Sequence, residues 1–322
     1  MQLFRRLSFA VSLAVAFAAG NAGAQTWPTK PIRLVVPFSA GGANDLMARA
    51  AAEGASKVLG QPIIVDNKPG AGTTLGADIV AKSAPDGYTF LVSAAGVISN
   101  SMIRKSMPYK DEALVPVAMI GLAPSVVVVP ADAPYKDLKE FVAASKKAGN
   151  GFHWATAGTG STPHFVEGLL ETKYGAKLDV VPYKSGSESI TAVLGSQVEA
   201  TSEASIVVLP YVKSGKLKAL AGTWTQRISA YPELPTAVEE GFPEIRIAHW
   251  AGVHAPHGTP DAILDKMADA IDKAMKMPAT AERLKSMGIE PIGGTRASFV
   301  KFVDEERARL GGVVKATGMK ED

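Results

Sequence analysis

From Ile32 onward, short β-branched runs alternate with longer stretches whose apolar residues recur at helical spacing. Residues 32–36 form a compact strand-like run. Pro37 ends it, because proline cannot donate to a sheet ladder. Gly41 and Gly42 then permit a tight turn, and Asn44 or Asp45 is a natural N-cap for the helix that follows. The same order of strand, small-residue loop and helix recurs. Strands are expected at 62–65, 88–92, 125–130, 152–155, 178–182, 198–201, 217–221 and 250–256. Helices are expected at 75–82, 137–147, 164–173, 188–194, 206–213, 260–275, 279–287 and 297–317. Such alternation predicts an α/β fold with a mostly parallel sheet. The cycle restarts after 125–130, which suggests two lobes with two crossings, near 126–129 and near 252–253. One lobe combines residues 25–125 with 247–322, and the other is 126–246.

The N-terminus breaks this pattern. Arg5 and Arg6 precede an apolar run over 7–20, and Ala22-Gly-Ala24 follows. A basic flank, a short apolar stretch and an A-x-A site make a secretory signal peptide cut after Ala24. The run is too short for a membrane span, which needs about 20 apolar residues. The whole chain carries 34 basic and 31 acidic residues. Removing the leader takes two arginines and leaves 32 against 31. A nearly neutral, exported protein has no electrostatic footprint for nucleic acid. With 47% hydrophobic and 20% charged residues, the composition is globular and not disordered. Cysteine is absent, which removes disulfides, thiol catalysis and cysteine-ligated metals.

Catalytic signatures are missing. There is no H-E-x-x-H, no P-loop and no G-x-S-x-G. Gly70-Ala-Gly72 follows a strand, but Lys68-Pro69 intervenes, so a sharply turning surface loop is the better reading than a dinucleotide site. His249, His254 and His257 cluster in sequence, yet a strand and a Pro/Gly-flanked turn separate their settings, which disfavours a metal. Ser161 and His164 share one loop-to-helix segment without an oriented third partner. No enzyme activity, cofactor or metal is expected.

What recurs is a strand ending in a Gly/Ser/Thr-rich loop that opens a helix, at 39–45, 93–96, 156–162 and 184–187. Helix starts leave N–H groups unpaired and favour negative charge. Ser93, Ala94 and Lys184 are therefore candidate ligand contacts beside the first and third loops. Two lobes facing each other across such loops would suit a carboxylate.

The segment Trp27-Pro-Thr-Lys-Pro-Ile-Arg-Leu-Val-Val-Pro-Phe-Ser-Ala-Gly-Gly-Ala-Asn-Asp45 resembles the opening of the Bug receptors. These are the extracytoplasmic solute-binding proteins of tripartite tricarboxylate transporters. Val65-Asp-Asn-Lys-Pro-Gly-Ala-Gly72, Pro85-Asp-Gly-Tyr-Thr89, Val181-Pro-Tyr-Lys184, Pro235-Thr-Ala-Val-Glu239 and Trp250-Ala-Gly-Val-His-Ala-Pro256 match in the same order. The resemblance implies a type II periplasmic-binding-protein fold that closes like a flytrap on a carboxylated ligand. Di- and tricarboxylates, acidic amino acids and aromatic acids are all within that class. By the same resemblance, Phe38, Ser39, Ala40, Gly41, Gly42 and Asn44 grip one carboxylate through backbone amides and ordered water, with Asp45 as the cap. Thr159, Gly160 and Ser161 form the opposing wall. Two positions depart from the family pattern: Ser39 stands where proline is frequent, and Glu203 where aspartate is common. Glu203 enters the binding set with a changed reach. The expected partners are the ligand and membrane transporter subunits, with the receptor a monomer. A sensor that signals to a membrane kinase would use the same cleft, and the sequence leaves that alternative open.

Cleavage after Ala24 is directly testable. Mass spectrometry of exported protein should find Gln25 as the first residue; a retained leader would refute the assignment.

Overall fold

The computed structural model describes residues 27–183 and 185–321. The leader with its cleavage site, and Lys184, lie outside the described residues. Ten strands make one continuous mixed sheet. In the first half, β1 (Ile32–Val36) lies between β2 (Ile63–Asn67) and β3 (Thr89–Ser93), all parallel. Next to β3 run β9 (Ala248–Pro256) and then β4 (Leu114–Pro130), both antiparallel to their neighbours, with the short β10 (Glu290–Pro291) beyond. In the second half, β5 (Phe152–Thr156) pairs in parallel with β6 (Leu178–Pro182) and β7 (Ala200–Ala204). Antiparallel β8 (Leu217–Gly222) and β7 both pair with β4. The sheet is therefore mixed, against the expectation of a mostly parallel one. Each half keeps a parallel core, and the long β4 and β9 supply the antiparallel centre.

Strand β4 carries both halves. Residues 114–124 pair with β9, whereas from Ser125 onward the ladder passes to β7 and β8. The change falls at Pro124, which has no N–H to give either ladder. Gly252 and Val253 were expected at a crossing but lie well inside the β9 ladder, opposite Ser93 and Val92. The second crossing comes before β9, at Ile247, whose N–H donates to the Thr223 carbonyl at 2.8 Å. Thr223 is fully buried and ties the crossings together: its N–H donates to the Ser125 carbonyl at 2.8 Å, and its hydroxyl bonds both the Ser125 and Ile247 carbonyls.

Among the described residues ten α-helices cover the sheet. The alanine-rich α1 (Ala43–Leu59) packs so closely on α8 (Asp261–Lys276) that a Cβ on Gly54 would lie 2.6 Å from the Ala274 Cβ. The buried residues of α8 include Leu264, Met267, Ala268, Ile271 and Met275, spaced for one face against this core. The others are α2 (Thr74–Ala81), α3 (Ala95–Ile103), α4 (Leu138–Lys147), α5 (Thr162–Tyr174), α6 (Gly186–Leu194), α7 (Ser205–Lys213), α9 (Pro278–Ser286) and α10 (Arg296–Thr317). Helix α10 spans the junction, touching α3 of the first half and α5 of the second. No helix among the described residues is long and apolar enough to cross a membrane.

Close packing at the junction makes Gly252 sensitive. A Cβ there would stand 2.1 Å from the Phe299 Cζ. Phe299 is itself fully buried beside Trp250, with ring centroids 6.1 Å apart. Overpacking of this kind costs about 1–3 kcal/mol. Gly252→Ala should lower the thermal midpoint measurably, and an unchanged midpoint would mean that the aromatic cluster yields freely.

Candidate carboxylate-binding site

The carboxyl ends of the parallel strands all open into helix N-termini. Strand β1 leads through 37–42 into α1, β3 through Ala94 into α3, and β5 through 157–161 into α5. Strand β6 leads toward α6 and β7 directly into α7. In open α/β sheets ligands sit at such ends, where backbone N–H groups and helix dipoles converge.

The first loop is held from beneath by Asp45. The structure corrects its role as a cap: the N-cap of α1 is Gly42, and Asp45 lies in the first turn. From there its carboxylate reaches back to accept the Gly41 N–H at 2.9 Å and also bonds Arg49 and Asn67. The Asn67 amide bonds the Phe38 carbonyl as well, at 3.0 Å. Asp45 is 1% exposed. Burial alone would push its carboxyl up, but the hydrogen bonds from Arg49, Gly41 and Asn67 outweigh that and hold it below the ordinary range. Asp45 is thus turned away from the cleft and fixes the loop. Ser39, Ala40 and Gly41 are left exposed, with Gly41 at φ 84°. Asn44 spends its amide on the Trp250 carbonyl at 2.9 Å, which ties the loop to β9.

The opposing loop is set by Trp154, whose indole N–H donates to the Pro163 carbonyl at 3.0 Å. Gly158 and Gly160 adopt φ of 97° and 72°, and Ser161 is the N-cap of α5 without a side-chain capping bond. Thr159 and Ser161 are half-buried and Gly160 buried. This loop meets α3 of the first half: the Ser99 hydroxyl approaches the Gly160 carbonyl at 3.5 Å, and a Cβ on Gly160 would strike the Ile103 Cδ1.

Several polar atoms at these strand ends are buried with no partner among the described residues. They are the hydroxyls of Ser93, Thr156, Ser161 and Ser202, and Oε1 of Glu203. Buried polar groups are normally paired, so a cluster of unpaired ones points to a missing ligand or water. Ser93, Ser161 and Glu203 were legible in the sequence. The sequence marks Thr156 only as the start of the third loop, and Ser202, inside β7, carries no turn or helix-start signal. Ala94, the N-cap of α3, contributes backbone only.

The histidines are dispersed. His249 bonds Ser125 at 3.1 Å, His254 packs edge-on against Phe299, and His257 lies in a turn with its N–H on the Ala113 carbonyl. His164 accepts the Gly160 N–H through Nδ1 at 3.3 Å, and burial lowers it to about 4. Ser161 Oγ is not bonded to it. The 70–73 segment is a strained turn with positive φ at Gly70, Ala71, Gly72 and Thr73. Asn100 and Arg104 of the α3 region bond the Gly72 and Ala71 carbonyls and hold this turn in place. A groove of about 450 Å³ bordered by Leu169, Lys173, Arg246 and Arg309 lies on the outer face and contains none of the predicted residues.

The model of the tripartite tricarboxylate transporter family receptor matches residues 47–319. The chain belongs to that family. BugT of Bordetella pertussis is 36% identical over 313 residues, covering 96% of each chain. The structure of the periplasmic binding protein BugD superposes with a TM-score of 0.82 at 30% identity, over 92% of this chain and all of that one. An R. palustris protein, Rpa4515, solved with adipate, superposes with a TM-score of 0.85 at 29% identity, over 91% and 99%. The fold is thus the two-lobed α/β fold of the periplasmic solute-binding receptors. The protein is a binding receptor and not an enzyme.

Losing the Asp45 carboxylate should unpin the first loop of this receptor. Asp45→Ala removes the acceptor of the Gly41 N–H and leaves the Asn67 amide only the Phe38 carbonyl, at about 1 kcal/mol for each hydrogen bond lost. A lower urea midpoint is expected. The same stabilisation in the wild type is complete above the unfolded pKa and lost as pH falls through the lowered native one. Acid titration should therefore show a stability loss below about pH 4 that the variant lacks.

Proposed function

We propose that this receptor captures a small carboxylated molecule in the periplasm and delivers it to the membrane subunits of a tripartite transporter. It acts as a monomer after removal of residues 1–24. Residues 25–125 with 247–322 form one lobe and 126–246 the other. The observation that carries this reading is the pair of glycine-bent loops, 39–42 and 158–161, each opening a helix at a strand end on opposite sides of the junction. Ser39, Ala40 and Gly42 offer backbone donors to one carboxylate, Gly41 bends the loop with its own N–H held by Asp45, and Phe38 packs its ring on the first core and supports the turn. Thr159 and the unpartnered Ser161 hydroxyl offer donors to the far end, Gly160 shapes the loop with its N–H on His164, and Ser93 and Ala94 lie between. Lys184 is part of the same proposed set. Each hydrogen bond to a charged group contributes about 1.5–3 kcal/mol. A few such bonds, less ordering costs, reach the roughly 8 kcal/mol of a micromolar complex. The adipate bound in the related R. palustris protein supports a carboxylate ligand.

Ligand contacts made only when both lobes approach shift the open–closed population. A thermal-shift screen over aliphatic, hydroxylated, amino and aromatic acids should find a stabilising ligand, because binding adds RT ln(1 + [L]/Kd). Solution scattering should then show a smaller radius with saturating diacid than with a monoacid of similar length. Gly41→Val forces a β-branched residue to φ 84°, so it should weaken binding at least about tenfold while leaving the melting profile near that of wild type. A tight ligand that leaves the scattering curve unchanged would place the site on one lobe alone.

A further inference from the structure

Glu203 is a buried acid with unusual surroundings. It sits near the carboxyl end of β7, is 4% exposed, and leaves Oε1 without a partner among the described residues. On one side lies the start of α6. A Cβ on Gly186 would stand 2.5 Å from Oε2 and 2.8 Å from Oε1, so the carboxyl fits only because that position is glycine. On the other side His249 Nε2 is 3.8 Å from Oε2 and 3.1 Å from the Ser125 hydroxyl. Ser125 is the residue at which β4 passes from one half to the other. The acid therefore lies between the amino end of α6 and the junction residues Ser125 and His249.

We propose that Glu203 selects the far end of the ligand: its free Oε1 carries the proton of a hydrogen bond donated to an acceptor oxygen, which favours a second carboxylate there over an ammonium. This rests on the carboxylate-receptor reading above. Among the described residues no cation neutralises Glu203. Burial pushes it up to about 8 and pushes the neighbouring imidazole of His249 down to about 4, so both are uncharged near neutrality. The unpartnered hydroxyls of Thr156 and Ser202 belong to the opposite face of the sheet, so the protonated carboxyl is the donor that this face offers. The amino end of α6 also favours negative charge. A ligand ammonium would face that donor and a positive helix end, whereas a carboxylate oxygen would meet complementary groups.

The pH dependence isolates Glu203. From β9 it faces His249, which stays neutral above about pH 6 with its value near 4. From α6 it faces a first turn whose acid is Glu188, and its β4 neighbour is Val126. His164 on α5 is likewise held near 4, and Asp45 across the junction is held low by its own partners. Binding of an acceptor favours protonated Glu203, so affinity should fall as pH rises through its value of about 8.

Calorimetric titration of the mature receptor with succinate, glutarate, adipate and malate, and with aspartate and glutamate, tests this. Wild type should bind a diacid, losing up to about tenfold per pH unit above pH 8. E203Q keeps a donor in place, so it should bind within about threefold of wild type and lose the decline. E203A should bind at least about tenfold more weakly. Melting curves confirm folding, and E203Q with the wild-type pH profile decides the matter if E203A does not fold. The proposal is overturned if E203Q weakens diacid binding as much as E203A, if wild-type affinity is flat across pH 7 to 9, or if an amino acid binds and E203Q abolishes it. If no acid binds wild type at any pH, the carboxylate-receptor reading itself fails, and this proposal with it.

Discussion

One strand holds the molecule together and decides what can move. β4 gives residues 114–124 to one half-sheet and 125–130 to the other, and the handover falls at a proline with no N–H. Beside it, Thr223 fastens Ser125 to Ile247, so the two crossings are bonded to each other through one buried side chain. Rotation between the halves must therefore pivot about a compact pair of backbone segments. Closure then changes the distance between strand-end loops far more than it changes the junction itself. That is the mechanical requirement of a cleft that reports ligand by closing.

Much of this was legible in the sequence, and the reason is local. Glycine at a positive φ, proline at a strand end and small polar residues before a helix are chemical requirements of turns, so the loops at 39–42 and 158–161 announce themselves. The order of the motifs added the family. What escaped depends on long-range pairing. Residues 114–124 lack the alternation of a surface strand because both faces are covered, and they read as part of no element until β9 pairs with them. For the same reason an apolar stretch at 252–253 reads as a crossing, although both residues pair with β3 on one side and, across bulges, with β4 on the other. Thr223 carries no sequence signal at all: a lone threonine after a strand gains its role only from the carbonyls that tertiary structure brings to it.

Asp45 shows how a local sequence signal can name the wrong partner for a side chain. Aspartate before a helical run reads as an N-cap, since capping is the commonest local use of that side chain. The chain instead lets Gly42 take the cap position, where its own side chain cannot compete for the first-turn amides. The carboxylate then turns inward to Gly41, Arg49 and Asn67. This arrangement leaves the first-turn N–H groups for another anion. A side-chain cap would have occupied the very donors that a ligand carboxylate needs.

The same logic explains why the cleft is lined so largely by neutral groups. Arg49, one helical turn beyond Asp45, is committed to Asp45 and Asn67. Helix ends, hydroxyls and a buried acid remain to meet the ligand. Dipoles fixed by the fold need little reorganisation when a carboxylate arrives, and their partial charges hold it without the deep desolvation cost of burying a full ion pair. A receptor must also let go. Donors split between two lobes lose the ligand together when the pivot opens, because each lobe alone retains only part of the set. In the proposed two-lobe reading, binding strength is coupled to the angle at Pro124 and Thr223, and a partner that prises the lobes apart would weaken binding without touching the ligand.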